Sequence, residues 1–151
     1  MKLNLKKEDN VSILIFLTVV IIDQVSKFLV RSYLYLGQKI EIASLFSISH
    51  IENTGAAFGI LKEQQLLLSL ISIIVFLLVI YFYYIEKSKH IQLSLSVFAG
   101  GIFGNFIDRF FLSSVTDFLD FQFWPAFNIA DAAITLSVIA IAYFVFIKKE
   151  E

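Results

Sequence analysis

Three carboxylates, Asp117, Asp120 and Asp131, fall within fifteen residues of the stretch VTDFLDFQFWPAFNIADAAI (115–134), and no Lys or Arg stands among them. Like charges crowded into a poor solvent cannot all ionise, and two carboxyl groups forced together hold one proton between them and titrate as a unit. That state suits acid–base chemistry, because one member can accept a proton while the other donates one. A cation between them would collapse the difference, so the missing basic residue is part of the signal. Asp120 continues an apolar–polar alternation and is expected in solvent. Asp131 has a structural reading as well: Pro125 stops any helix before it, Asn128 can cap a new one, and an acid in the first turn suits the helix dipole. Asp117 has no such explanation and falls at the same rim.

Other chemistries are excluded or thin. The chain has no cysteine, which removes disulfides, thiolate metal sites and a cysteine nucleophile. His50 and His90 are isolated, so no metal site is expected, and none of the readings requires an organic cofactor. A net charge of −1 provides no basic field for nucleic acid. Asp23 and Lys27 are four apart and lie on one helix face, where they can pair. A charge at bilayer depth costs about 2.5–3.5 kcal/mol, so both should face the bundle or water. In GGIFGNFIDRF (100–110), Gly100 and Gly104 form a small-xxx-small packing face. Asn105 and Arg109 share the next face out, with Asp108 beside it. Arg109 reads either as a snorkelling anchor or as a fork of donors, and a buried Asn105 needs partners of its own.

These residues need scaffolds. Hydrophobic residues make up 58% of the 151, concentrated in long runs, which points to membrane spans. Four are expected, at about 12–30, 65–85, 92–111 and 130–147, each near the ~20 residues that cross the hydrocarbon. Lys2, Lys6 and Lys7 before an apolar run resemble a signal peptide, but no small-residue cleavage site follows, so an uncleaved anchor is expected. Lys2, Lys6, Lys7, Lys87, Lys89, Lys148 and Lys149 fall on one side of a four-span chain. Both termini are therefore expected in the cytoplasm and the aspartates outside. In the outer loop (31–64), KIEIASLFSISHIEN reads as two short strands, followed by Asn53-Thr54-Gly55 as a turn and a short amphipathic helix.

DQVSK (23–27), NTGAAFG (53–59), GGIFGNFIDR (100–109), VTDF (115–118) and FNIADAAI (127–134) resemble, in order, the sequence blocks of the lipoprotein signal peptidases, or signal peptidase II. The resemblance runs from the first span to the last. It implies an α-helical integral membrane protein of four transmembrane helices, with a small extracytoplasmic β-rich cradle, forming one domain. It implies a bacterial inner-membrane aspartic endopeptidase that cuts diacylglyceryl-modified prolipoproteins before the lipidated cysteine, acting as a monomer among membrane lipids. The family's catalytic pair falls on Asp117 and Asp131. Its substrate-binding residues fall on Asn53, Gly55, Asn105, Arg109 and Asn128, with Asp23, Lys27 and Phe58 near the site. Ser113 stands where the family usually has Gly, and the stretch between the two aspartates is short. A rival reading as a proton-coupled carrier is weakened because the carboxylates cluster at one rim rather than across the midplane; a second rival is a non-catalytic scaffold with Gly100 and Gly104 as its contact face.

Overall fold

In hydrocarbon every backbone N–H and C=O must be satisfied within the segment, so long apolar runs become helices. The computed structural model describes residues 7–55, 61 and 63–147. It contains α1 (Lys7–Tyr33), α2 (Gln65–Ile85), α3 (Lys89–Leu112) and α4 (Ile129–Phe146), each long and apolar enough to cross a membrane. Helices α1 and α3 extend past the expected spans because their polar ends continue the same hydrogen-bond ladder beyond the apolar run.

Helix α3 is central and packs against the other three. Its glycines make this possible. A Cβ on Gly100 would come within 2.8 Å of the Val19 Cβ in α1, and one on Gly101 within 2.6 Å of the Ala130 carbonyl oxygen in α4. One on Gly104 would lie 2.6 Å from an Asp23 carboxylate oxygen. Between α2 and α3, Val79, Leu95, Ala99 and Ile102 form the buried apolar core. Phe16, Phe76 and Phe103 close it toward α1, with ring centroids 5.4–5.9 Å apart. Hydroxyls within the helices bond back to carbonyls one turn earlier, as Ser72, Ser94 and Ser96 do, which keeps them satisfied away from water.

At one end of the bundle lies a three-stranded antiparallel sheet: β1 (Lys39–Ala43), β2 (Phe46–Asn53) and β3 (Val115–Phe121), in that order. The two loop strands are where the alternation placed them. The third was not expected: Asp117 belongs to a strand whose partner, β2, lies more than sixty residues earlier, with Ile51 opposite Asp117. Pairing also corrects the reading of Asp120. It sits opposite Ser47 and is half-buried rather than free in solvent. A register shift between Ile48 and Ile51 marks a bulge in β2 at Ser49 and His50. His50 Nδ1 lies 2.9 Å from the Leu34 carbonyl, and Gly37, at φ 80°, donates its N–H to the His50 carbonyl. These contacts tie the sheet to the end of α1. Phe58 and most of the segment expected to form the amphipathic helix, 56–60 and 62, lie outside the described residues, and Leu61 and Glu63, at φ 57° and 64°, are in turns rather than a helix.

Candidate active site

Strand β3 and the first turn of α4 bring Asp117 and Asp131 to one cleft. The local cause is a capping box. Asn128, fully buried, accepts the Asp131 N–H on Oδ1 (2.9 Å), while Asp131 Oδ2 accepts the Asn128 N–H (3.3 Å). The remaining group on Asn128, its amide NH2, donates to Asp117 Oδ1 at 2.7 Å. One asparagine thus caps the helix and joins the two carboxylates. Asn53 Nδ2 donates to the other Asp117 oxygen at 3.0 Å, and Asn105 Nδ2 donates to Asp131 Oδ1 at 2.8 Å. Each aspartate therefore has both oxygens in hydrogen bonds, most of them from side-chain amides, which donate without bringing a positive charge.

Asp117 is only 3% exposed. Burial first, and the neighbouring Asp131 charge second, raise its pKa to about 7. The Asn53 and Asn128 hydrogen bonds and the Lys27 charge act the other way without cancelling the rise.

Beneath this pair lies a second, fully buried charge cluster. Lys27 Nζ donates to Asp23 Oδ2 (2.8 Å), to Asp108 Oδ2 (3.3 Å) and to Asn105 Oδ1 (2.9 Å). Asp23 and Lys27 form the ion pair that their spacing predicted. Asp108 was placed only beside the Asn105–Arg109 face, yet it is the hub of the α3 side, and Arg31 reaches it at 3.7 Å. Its signal was available: Gly104 and Asp108 are four apart, so the glycine that admits α1 and this carboxylate share one face.

Arg109 stands in the cleft wall, close enough to both aspartates to interact with their charges. Its NH2 group reaches the Gly55 carbonyl at 3.4 Å, and its Nε has no partner among the described residues. Gly55 N–H in turn donates to Asn53 Oδ1 (2.9 Å), so the NTG turn is braced by the residue that holds Asp117. All the expected site residues except Phe58 are thus brought to one region, with Asp23 and Lys27 behind it rather than in it. The cleft, of about 1120 Å³, runs from Asn53 and Thr54 past the aspartates to Trp124, Phe127 and Leu136.

Four membrane-length helices, a small sheet at one end and a carboxylate pair in an open, largely apolar cleft define a multi-pass membrane protein with an enzyme-like site. A family model described as Signal peptidase (SPase) II matches residues 15–147. The lipoprotein signal peptidase of Clostridium tetani is 38% identical over 147 residues, covering 92% of this chain and 93% of that protein. That of Moorella thermoacetica is 36% identical over 134 residues, covering 87% and 89%. A solved structure described as a bacterial membrane enzyme superposes with a TM-score of 0.87 at 34% identity, covering 94% of this chain and 93% of that one. The chain belongs to the signal peptidase II family: it is a membrane protease of lipoprotein processing, which removes signal peptides from prolipoproteins.

Proposed function

We propose that Asp117 and Asp131 are the catalytic pair of an aspartic endopeptidase, and that the protein cuts diacylglyceryl-modified prolipoproteins immediately before the lipidated cysteine. The observation that carries this reading is the Asn128 bridge. It holds a buried carboxylate, Asp117, and a half-buried one, Asp131, in one hydrogen-bonded unit, with Asp117 raised to about 7. Such a unit retains one proton at neutral pH. The ionised member takes a proton from water as it attacks the scissile carbonyl. The protonated member hydrogen-bonds that carbonyl oxygen and then protonates the leaving amine. Arg109 and Asn53, in the cleft wall, hold the extended substrate backbone, with Gly55 bracing the turn between them. The Arg109 Nε, which has no partner among the described residues, supports that role.

The apolar end of the cleft, at Trp124, Phe127, Ile134 and Leu136, supports a place for the acyl chains. Each buried methylene contributes about 0.8 kcal/mol. The lysine distribution supports termini in the cytoplasm and the cleft at the outer face of a bacterial cytoplasmic membrane. One chain, as a single domain, carries the whole site and acts as a monomer.

Purified Asp117→Asn and Asp131→Asn proteins should each fold and insert but cleave a lipid-modified prolipoprotein at less than about a thousandth of the wild-type rate, because an amide neither accepts the water's proton nor shares one. Asp120→Asn should keep most activity. Normal cleavage by either of the first two, in a preparation free of host enzyme, refutes the aspartic mechanism.

A further inference from the structure

The residue immediately before each aspartate of the pair makes the same kind of bond. Thr116 N–H donates to Asp108 Oδ2 at 3.1 Å, and Ala130 N–H donates to Asp23 Oδ1 at 2.8 Å. Thr116 precedes Asp117 at the start of β3, and Ala130 precedes Asp131 in the first turn of α4. Asp23 and Asp108 are both 0% exposed, and the Lys27 ammonium joins them. An ammonium has three donors, and here each has its own acceptor: Asp23, Asp108 and Asn105. The third leads to Asp131 through the Asn105 amide. Gln24 Nε2, at 3.1 Å from Asp108 Oδ1 and 3.2 Å from Asp23 Oδ2, spans the same two carboxylates. Arg31 closes the far side, donating to the Thr116 hydroxyl at 2.9 Å.

We infer that Asp23, Lys27 and Asp108 are positioning residues that set the separation and the shared proton of the Asp117–Asp131 pair, by holding the backbone just before each member from one buried charge cluster. The inference rests on the catalytic reading of that pair. A cluster whose only task was to pin α1 to α3 would need neither the backbone bond to β3 nor that to α4. None of the three side chains lines the cleft, so substrate does not meet them. Their charge does reach the pair: Lys27 lies close enough to favour ionisation of Asp117.

Among the described residues, the other charged groups around the pair are few. Helix α1 contributes Asp23, Lys27 and Arg31, α3 contributes Asp108 and Arg109, β2 contributes Glu52 at the cleft wall, and β3 contributes Asp120. Helix α2 carries no Asp, Glu, Lys, Arg or His, and α4 carries only Asp131. Removing one cluster charge therefore moves the pair's titration in a direction set by the sign of that charge.

The test uses the full-length enzyme in detergent with a lipid-modified prolipoprotein, measuring kcat, KM and the pH limits of kcat for wild type, Lys27→Met, Asp108→Asn and Asp117→Asn. Lys27→Met and Asp108→Asn should each lower kcat about tenfold or more with KM within about twofold, since small misplacements at a reacting centre act on turnover. The pH limits should move in opposite senses, upward in Lys27→Met and downward in Asp108→Asn, by about half a unit or more. A cluster that only stabilises the fold would lower the melting temperature and leave kcat and both limits of the folded protein unchanged; that result overturns the inference. If either variant does not fold, Arg31→Gln, at the partly exposed edge of the cluster, decides in its place: lower kcat with limits moved upward supports the inference, and unchanged values overturn it. Asp117→Asn separates the two readings. Activity in that variant means the catalytic assignment has failed, whereas an inactive Asp117→Asn beside normal cluster variants means only the positioning role has.

Discussion

At the scale of single residues, the site depends on carboxylates placed where carboxylates are uncomfortable. Asp117 ionises with a pKa of about 7, against 3.8 for the free side chain, so the folded protein holds a proton there that the unfolded chain has already released. Between those two values the native state binds more protons than the unfolded one, and stability falls as pH rises; above about 7 the loss is complete and constant. An amide at this position would carry no such penalty. The melting temperature of Asp117→Asn should therefore gain on wild type as pH is raised from about 4 to about 7, and the gap should level off beyond that. Thermal unfolding in detergent across this range measures it, and a gap that does not change with pH would mean that Asp117 keeps an ordinary proton affinity. In sequence, Asp117, Asp131, Asn105 and Arg109 were legible as polar residues in or beside apolar segments, whereas Asn53 read as a turn residue and Asn128 as a helix cap, and both entered the candidate site through the family resemblance. Asp108 was not given its place. Its partners Thr116 and Arg31 are ordinary loop and helix-end residues until the fold stacks them.

At the scale of elements, the helices were legible and the third strand was not. An apolar run of about twenty residues has few alternatives in a membrane, whereas VTDFLDF becomes a strand only because β2 is there to pair with it. The junction that delivers Asp117 to β2 is Ser113. It ends α3 in the left-handed region, at φ 59° and ψ 16°, with its N–H bonded to the Arg109 carbonyl at 3.2 Å. In this conformation a side chain costs roughly 1–2 kcal/mol relative to glycine. Glycine returns part of that gain as unfolded-chain entropy, about 0.5–1 kcal/mol. Ser113→Gly should thus raise stability by about 0.5 kcal/mol with cleavage unchanged. Ser113→Val, β-branched at positive φ, should lose more than about 1 kcal/mol and reduce cleavage by displacing β3. Denaturation and cleavage assays on the two variants check this, and equal stability of both would show that the turn tolerates any residue.

At the scale of the whole molecule, the distribution of polarity is inverted relative to a soluble domain. Leu14, Ile21, Phe28, Leu66, Leu77 and Ile139 face outward on the helices, while Asp23, Lys27, Asn105 and Asp108 are buried among them. The same inversion sharpens the reading of orientation. Seven lysines belong to the termini or to the turn at the end of the bundle opposite the sheet, against Arg31, Lys39, Lys62 and Arg109 in the segments that join the sheet. Of those four, Arg31 is engaged by Asp108, Lys39 lies 3.6 Å from Glu41, and Arg109 stands beside the aspartate pair. Most of the positive charge on the sheet side is thus met by acids, which deepens the asymmetry, and the lysine-rich side should be cytoplasmic. The chain has no cysteine, so single cysteines report cleanly. In intact cells, a membrane-impermeant thiol reagent should label Gln122→Cys, exposed just beyond β3, and should reach Lys87→Cys, exposed in the α2–α3 turn, only after the membrane is permeabilised. Labelling of position 87 but not 122 from outside would reverse the topology. It would place the cleft on the cytoplasmic side of the membrane.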